Sequence, residues 1–274
     1  MSPIEAVRQA EARLAETGVP SPRVDAELLV AHVLGVSRTG IYANGRIVSP
    51  AESDQLAALV ARRAEREPLA YVLGEWGFRR LSLQVDHRVL VPRPETEVVV
   101  ERCLELIAGL EAPEVLDVGT GSGAIALAIA DEHPGARVCA VDSSSDALAV
   151  ARDNVLRSGL ERCVEFAESD LLAGVTGCFD LVVSNPPYVS PSERSVLEPE
   201  VRDFEPSVAV VGSEVADRIA AEALPVLRPG GWVVLECGDG QAASLAARLR
   251  ALGYHSVTVS PDLAGVDRVV EGQA

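Results

Sequence analysis

The chain has no lysine: its 24 basic side chains are all arginine, set against 41 aspartates and glutamates. The resulting net charge of −17 repels a phosphate backbone unless the few arginines cluster locally, which disfavours nucleic acid as a partner and favours a basic protein. Aromatic residues make up only 4%, so the core has to be built from Ala, Val and Leu. No apolar run is long enough to cross a bilayer. The opening Met1-Ser2-Pro3-Ile4-Glu5 has neither a basic n-region nor an apolar h-region. No signal peptide and no membrane contact are therefore expected, and a cytoplasmic setting is. The four histidines are scattered without metal-ligand spacing, and no metal is expected. Cys103, Cys139, Cys163, Cys178 and Cys237 contain no C-x-x-C pair. Lying mostly in apolar stretches, they read as reduced, buried thiols.

What is present falls into three parts. Residues 1–74 read as a small helical bundle, with a helix over Ile4 to Ala15. Ser21-Pro22 and Ser49-Pro50 each form an N-cap followed by Pro, and Gly35 is a stop signal. Residues 75–92 read as a hairpin linker whose strands, Arg80 to Asp86 and His87 to Val91, alternate in polarity. Residues 93–274 alternate strand and helix. Strands are expected at Glu114–Val118, Arg137–Val141, Val164–Phe166, Leu181–Val183 and Trp232–Leu235, with helices between them. This pattern predicts an α/β domain with a mainly parallel, doubly wound sheet. Tyr254–Val259 and Val266–Val270, joined by a turn, predict an antiparallel hairpin at its end.

Asp117-Val118-Gly119-Thr120-Gly121-Ser122-Gly123 follows a strand and opens a helix, where glycines let a ligand approach the backbone at a helix N-terminus. Gly119, Gly121 and Ala124 also satisfy a dinucleotide fingerprint, so a nicotinamide enzyme passes this test, as does a plain glycine-rich turn. Two further carboxylates narrow the choice. Asp142 ends the next strand, where it can accept both hydroxyls of a ribose, and Asp170 follows the third, where it can accept from an adenine amino group. Asp117 would sit badly beside phosphates but suits a ligand carrying a sulfonium and an ammonium group. A nicotinamide enzyme would also need an acid–base group for hydride transfer, and none is evident.

Strand residues Phe179 to Ser184 run into Asn185-Pro186-Pro187-Tyr188. Proline restricts the residue before it to extended conformations and donates no N–H, so the turn presents two acceptors on a stiff frame: the Asn185 side-chain oxygen and the Pro186 carbonyl. A planar NH2 group can donate one hydrogen to each, leaving its lone pair directed at an incoming methyl. Tyr188 offers a ring against which the flat group can pack.

This turn behind such a glycine loop resembles the amino-group methyltransferases that act on adenine, cytosine, guanine or glutamine. Further segments resemble one branch, the release factor glutamine methyltransferases: Pro68 to Gly74, Val91-Pro92-Arg93-Pro94-Glu95-Thr96-Glu97, Phe204-Glu205-Pro206 and Asp262 to Val270. The resemblance implies a Rossmann-like class I methyltransferase fold with a helical substrate-docking domain in front. S-adenosylmethionine would be held by Asp117, Gly119, Thr120, Gly121, Ser122, Gly123, Asp142, Asp170, Leu171 and Asn185. Asn185, Pro186, Pro187 and Tyr188 would hold the substrate amide, with Asn185, Pro186 and Tyr188 forming the catalytic set. The implied substrate is the glutamine of the GGQ motif in class I peptide chain release factors, methylated on its amide nitrogen by a monomeric enzyme. Where a second glycine-rich acidic turn is expected, the chain instead has Val211-Gly212-Ser213-Glu214-Val215. Two rivals share some of these features. A DNA or RNA amino-methyltransferase calls for a basic face that the composition does not supply, and a regulatory module that only binds S-adenosylmethionine has no use for the acceptor turn.

Overall fold

The computed structural model describes residues 1–43 and 46–274. The chain begins with α1 (Pro3–Glu16), α2 (Pro22–Leu34), α3 (Gly40–Ala43), α4 (Pro50–Ala64) and α5 (Leu69–Leu73), followed by β1 (Glu75–Phe78) and β2 (Leu81–Gln84). Next come α6 (Pro94–Ile107), β3 (Glu114–Val118), α7 (Ala124–Glu132), β4 (Arg137–Asp142), α8 (Ser145–Ser158), β5 (Val164–Glu168) and β6 (Phe179–Ser184). The last stretch holds α9 (Pro199–Phe204), α10 (Ser207–Val210), α11 (Val215–Ala223), β7 (Leu227–Glu236), α12 (Ala242–Leu252), β8 (His255–Pro261) and β9 (Asp267–Gln273). These residues form two compact units, Met1–Glu75 with Glu198–Phe204, and Trp76–Leu197 with Glu205–Ala274.

In the helical unit, Ser2 and Ser49 close capping boxes with Glu5 and Glu52, satisfying backbone donors at the starts of α1 and α4. Ser21 departs from the expected cap. At φ −126° and ψ 58° its hydroxyl makes no capping bond, and α2 is started by Pro22 alone. Gly35, at φ 62°, ends α2 in the left-handed conformation that favours glycine. Val7, Leu14, Leu29, Val30 and Leu56 form the apolar centre. α9 lies in this unit although it comes more than a hundred residues later. Arg63 of α4, almost fully buried, donates to Asp25 at 2.7 Å and to Glu200 of α9 at 2.9 Å, and Arg66 donates to Glu200 and Glu198. A buried guanidinium is tolerated only when paired in this way.

The second unit is a seven-stranded sheet in the order β5-β4-β3-β6-β7-β9-β8. β5, β4, β3, β6 and β7 are parallel, and β9 pairs antiparallel with both β7 and β8. This is the predicted class I methyltransferase architecture. β3 and β6 are almost wholly buried. One face of the sheet packs against α6 and α7, and the other against α11 and α12. Burial on both faces is why these strands appear in the sequence as unbroken apolar runs.

Two further expectations need correction. The linker hairpin forms one strand earlier than predicted: β1 pairs with β2 across Arg79 and Arg80, and 87–91 is not a strand. Val89 and Val91 alternate because they are buried as irregular chain, while Asp86 accepts from the Arg88 backbone in a local turn. The cysteines are all free, but only Cys103 and Cys237 are buried, and Cys178 is exposed.

Replacing Arg63 with Ala should leave Asp25 buried without its partner and lower unfolding stability by about 3–5 kcal/mol. An unchanged urea or thermal midpoint in the intact chain would mean that the pair contributes nothing.

Candidate active site

Because five strands run parallel, the loops following β3, β4, β5 and β6 all emerge at one edge of the sheet. The strand order reverses between β3 and β6, which opens a crevice there. Glycines shape the first loop. Gly119 and Gly121 have φ of 74° and 56°, and the Gly119 and Thr120 amides donate to Val141 O at the end of β4. The Gly121 amide donates to Asp142 Oδ2 at 2.9 Å, and the Ser144 amide to Asp142 Oδ1 at 2.9 Å. Asp142 is thereby held rigid, while each carboxylate oxygen keeps a lone pair for another donor.

Asp117 lies behind the loop and is fully buried. Its Oδ2 accepts from Thr120 Oγ1 at 2.7 Å and from the Ala126 amide at 3.2 Å. Its Oδ1 has no partner among the described residues. Burial, helped by the charge of Asp142, pushes this carboxyl up to about 7 against the hydrogen bonds from Thr120 and Ala126. An orphaned buried carboxylate oxygen behind a glycine loop fits a cationic ligand, as the sulfonium and ammonium groups of S-adenosylmethionine would be.

The turn after β6 is fastened from several sides. Ser184 Oγ donates to Val118 O at 2.6 Å, tying the end of β6 to that of β3. Asn185 Nδ2 donates to Thr96 Oγ1 at 3.0 Å, and Thr96 Oγ1 donates to Glu236 Oε2 at 2.7 Å. Gln241 Nε2 donates to Tyr188 O at 3.0 Å. Gly212 has a steric reason to be glycine, since a Cβ there would lie 2.8 Å from Pro187 Cγ. The unexpected Val211 to Val215 segment thus closes tightly on the turn, with Val189 bridged to Val211. Burial pushes Glu236 up to about 7 and also raises the Tyr188 phenol.

A cavity of about 300 Å³ occupies the crevice. Of the residues predicted to hold a cofactor or substrate, Gly119, Gly121, Asp142, Asp170, Leu171, Asn185 and Pro187 line it. Asp117, Thr120, Ser122, Gly123, Pro186 and Tyr188 are not among its walls. Thr120 is turned toward Asp117, and Ser122 O accepts from Asn154 inside the fold. A second recess of about 200 Å³ is lined by Pro187, Tyr188, Glu236 and Gln241, so Pro187 borders both spaces.

Sequence reasoning missed other contributors. Arg88, Val89 and Leu90 of the linker and Pro206, Val208, Ala209 and Val211 supply cavity wall; the Arg88 guanidinium is bonded to Asp86, and the others are apolar. Thr96 and Glu236 were missed as partners of the turn. The available signal was a carboxylate ending the buried strand Trp232 to Glu236, much as Asp142 ends β4. Arg93 donates to the buried Glu205 at 2.6 Å, so the Arg93-to-Glu97 and Phe204-Glu205-Pro206 segments are physically joined.

A family model of the PrmC N-terminal domain matches residues 5–74, and one of the methyltransferase small domain matches residues 96–199. The release factor glutamine methyltransferase of Deinococcus radiodurans is 45% identical over 97% of this chain and 96% of its own length. That of Rhodospirillum rubrum is 43% identical over 93% of this chain and 80% of its own. Among solved structures, a methyltransferase from Pyrococcus furiosus superposes with a TM-score of 0.52 at 21% identity, covering 81% of this chain and 98% of that one, a likeness of fold.

Asp117 sets opposing demands on stability and binding. Its folded-state value lies above the ordinary aspartate value of 3.8, so the folded chain holds the extra proton between 3.8 and about 7, and stability falls as pH rises through that window. Asp117→Asn should therefore raise the thermal midpoint of the ligand-free protein at pH 8 but leave it little changed at pH 4. The same variant should weaken S-adenosylmethionine binding about 10- to 100-fold, the usual effect of losing a hydrogen bond to a charged group. Wild-type affinity by calorimetric titration would show that the orphaned oxygen does not meet the ligand.

Proposed function

The chain belongs to the release factor glutamine methyltransferases, and from that footing we propose that it methylates the side-chain amide nitrogen of the GGQ glutamine in class I peptide chain release factors, using S-adenosylmethionine. The observation that carries this reading is the Asn185 amide, whose NH2 is turned inward to donate to Thr96 so that its oxygen is left to accept. Gly119, Gly121, Asp142, Asp170 and Leu171 would hold the cofactor against the cavity wall, with Asp117 behind them. The cofactor supplies a methyl group made electrophilic by its sulfonium.

An amide nitrogen is a poor nucleophile because its lone pair is delocalised. Asn185 Oδ1 and the Pro186 carbonyl would each accept one N–H of the substrate amide, turning the lone pair outward and stabilising positive charge as it develops on nitrogen. The Tyr188 ring would pack against the amide plane. The stiffness of the turn means that little alignment has to be acquired during the reaction. No base is called for, since the nitrogen can shed a proton to solvent after attack. Cys237, which borders the second recess, is pushed by burial to about 11 and is protonated at neutral pH.

The negative charge supports a protein substrate over a nucleic acid. Residues 1–74 supply no chemistry of their own and are read as the docking module for the release factor, with the monomer as the working form. Cytoplasmic placement follows from the substrate, and no helix among the described residues is long and apolar enough to cross a membrane.

The test is incubation with labelled S-adenosylmethionine and either a release factor or duplex DNA, followed by mapping of the label, which is expected on the GGQ glutamine alone. Asn185→Ala should slow single-turnover methylation about 100- to 1,000-fold while changing cofactor affinity much less. Near-normal turnover in that variant would reduce the turn to a structural element and remove the main support for amide methylation.

A further inference from the structure

An asparagine side chain can present either its oxygen or its NH2 to a bound group, and the two orientations have opposite consequences here. With the oxygen forward, the substrate NH2 meets an acceptor. With the NH2 forward, two donors face each other. The orientation is decided behind the turn. Thr96 is 4% exposed and Glu236 1%. A hydroxyl has one proton, and Thr96 gives it to the Glu236 carboxylate at 2.7 Å. Thr96 Oγ1 can then only accept from Asn185, which must turn its Nδ2 inward, at 3.0 Å, and its Oδ1 outward. A flipped amide would set two acceptors against each other in a buried site.

We propose that Glu236 and Thr96 are positioning residues that lock the Asn185 side chain with its oxygen toward the substrate amide, a relay that rests on the functional reading above. Neither residue lines the cavity that holds Asn185; Glu236 borders the neighbouring recess with Tyr188, and the contact that links both residues to Asn185 is the hydrogen bond through Thr96.

The relay is directional only while Glu236 is ionised. Burial, together with Glu95, opposes its charge, while the hydrogen bond from Thr96, Arg268 of β9 and Arg93, next to α6, favour it. Tyr188 and Asp217 of α11 border the same recess. As pH falls through about 7, the carboxyl gains a proton that it can donate to Thr96. Thr96 is then free to donate to Asn185, and both amide orientations become bonded. Turnover at saturating cofactor is expected to fall with that proton.

The experiment compares the full chain with Thr96→Val, Thr96→Ser and Glu236→Gln on a class I release factor, measuring single-turnover rates, KM and S-adenosylmethionine titrations. Thr96→Val keeps the shape but loses the hydroxyl. It should lower kcat about 10- to 100-fold, with KM and cofactor affinity changed less than about threefold, and Thr96→Ser should recover most of the rate. Glu236→Gln offers both a donor and an acceptor at every pH, so it should be slower than wild type and lack the acid limb near pH 7. Full activity in Thr96→Val would overturn the relay. So would a Thr96→Ser variant as slow as Thr96→Val, or a Glu236→Gln variant with the wild-type rate and acid limb. Should Thr96→Val fail to fold, the rate and pH profile of Glu236→Gln decide the question. A wild-type enzyme that binds the cofactor yet leaves the release factor unmethylated overturns the functional reading and the relay with it. An active wild type with unaffected variants overturns the relay alone.

Discussion

The single proton of the Thr96 hydroxyl is the constraint around which this site is organised. Donated in a hydrogen bond to Glu236, it leaves Thr96 an acceptor for Asn185. Thr96 sits in the first turn of α6, and neighbouring residues of that turn fix other parts of the structure. Arg93 pairs with Glu205 beyond the acceptor loop, and Glu97 accepts from the Arg79 backbone in the linker hairpin at 2.9 Å. One helix start therefore bears on the linker, the β6 turn, the end of β7 and the return of the acceptor loop. Since α6 also packs its apolar face into the sheet through Val99, Val100 and Cys103, these polar contacts have a rigid base.

The same region concentrates buried negative charge. Asp117, Glu205 and Glu236 are each desolvated, and burial raises all three. They differ in what answers the charge. Glu205 has a guanidinium and Glu236 a hydroxyl, whereas Asp117 has one oxygen satisfied and one left over. A buried polar atom without a partner costs free energy in the empty protein. In the functional reading proposed above, a cationic ligand held at the glycine loop would offset that cost.

Close packing completes the turn. Pro186 and Pro187 fix the backbone, Gly212 admits the ring of Pro187, and a Cβ on Gly238 would lie 3.0 Å from Tyr188 Cδ2. Small residues at these two contacts let separate loops close onto the turn, so its acceptors are held without help from a ligand. Preorganisation of this kind matters for a weak nucleophile, which gains most from alignment already in place.

Features governed by local conformation or by burial pattern were legible in the sequence. β3 and β6 are buried on both faces and so read as apolar runs; Gly119 and Gly121 mark positive φ; Asn185 to Tyr188 mark a stiff turn on a strand end. Parallel strands then bring Gly119, Asp142, Asp170 and Asn185 to one cavity. Tertiary structure alone decided the rest. The linker alternation could be read as strand at 87–91, but only packing shows Val89 and Val91 buried outside any strand. α9 gives no local hint that its Glu200 meets Arg63 and Arg66. Thr96 reaches Glu236 across 140 residues and Asn185 across 89. Periodicity records which face of an element is buried and residue type records what its backbone tolerates. A hydrogen bond between distant side chains leaves a mark in neither, so the relay exists only once the chain is folded.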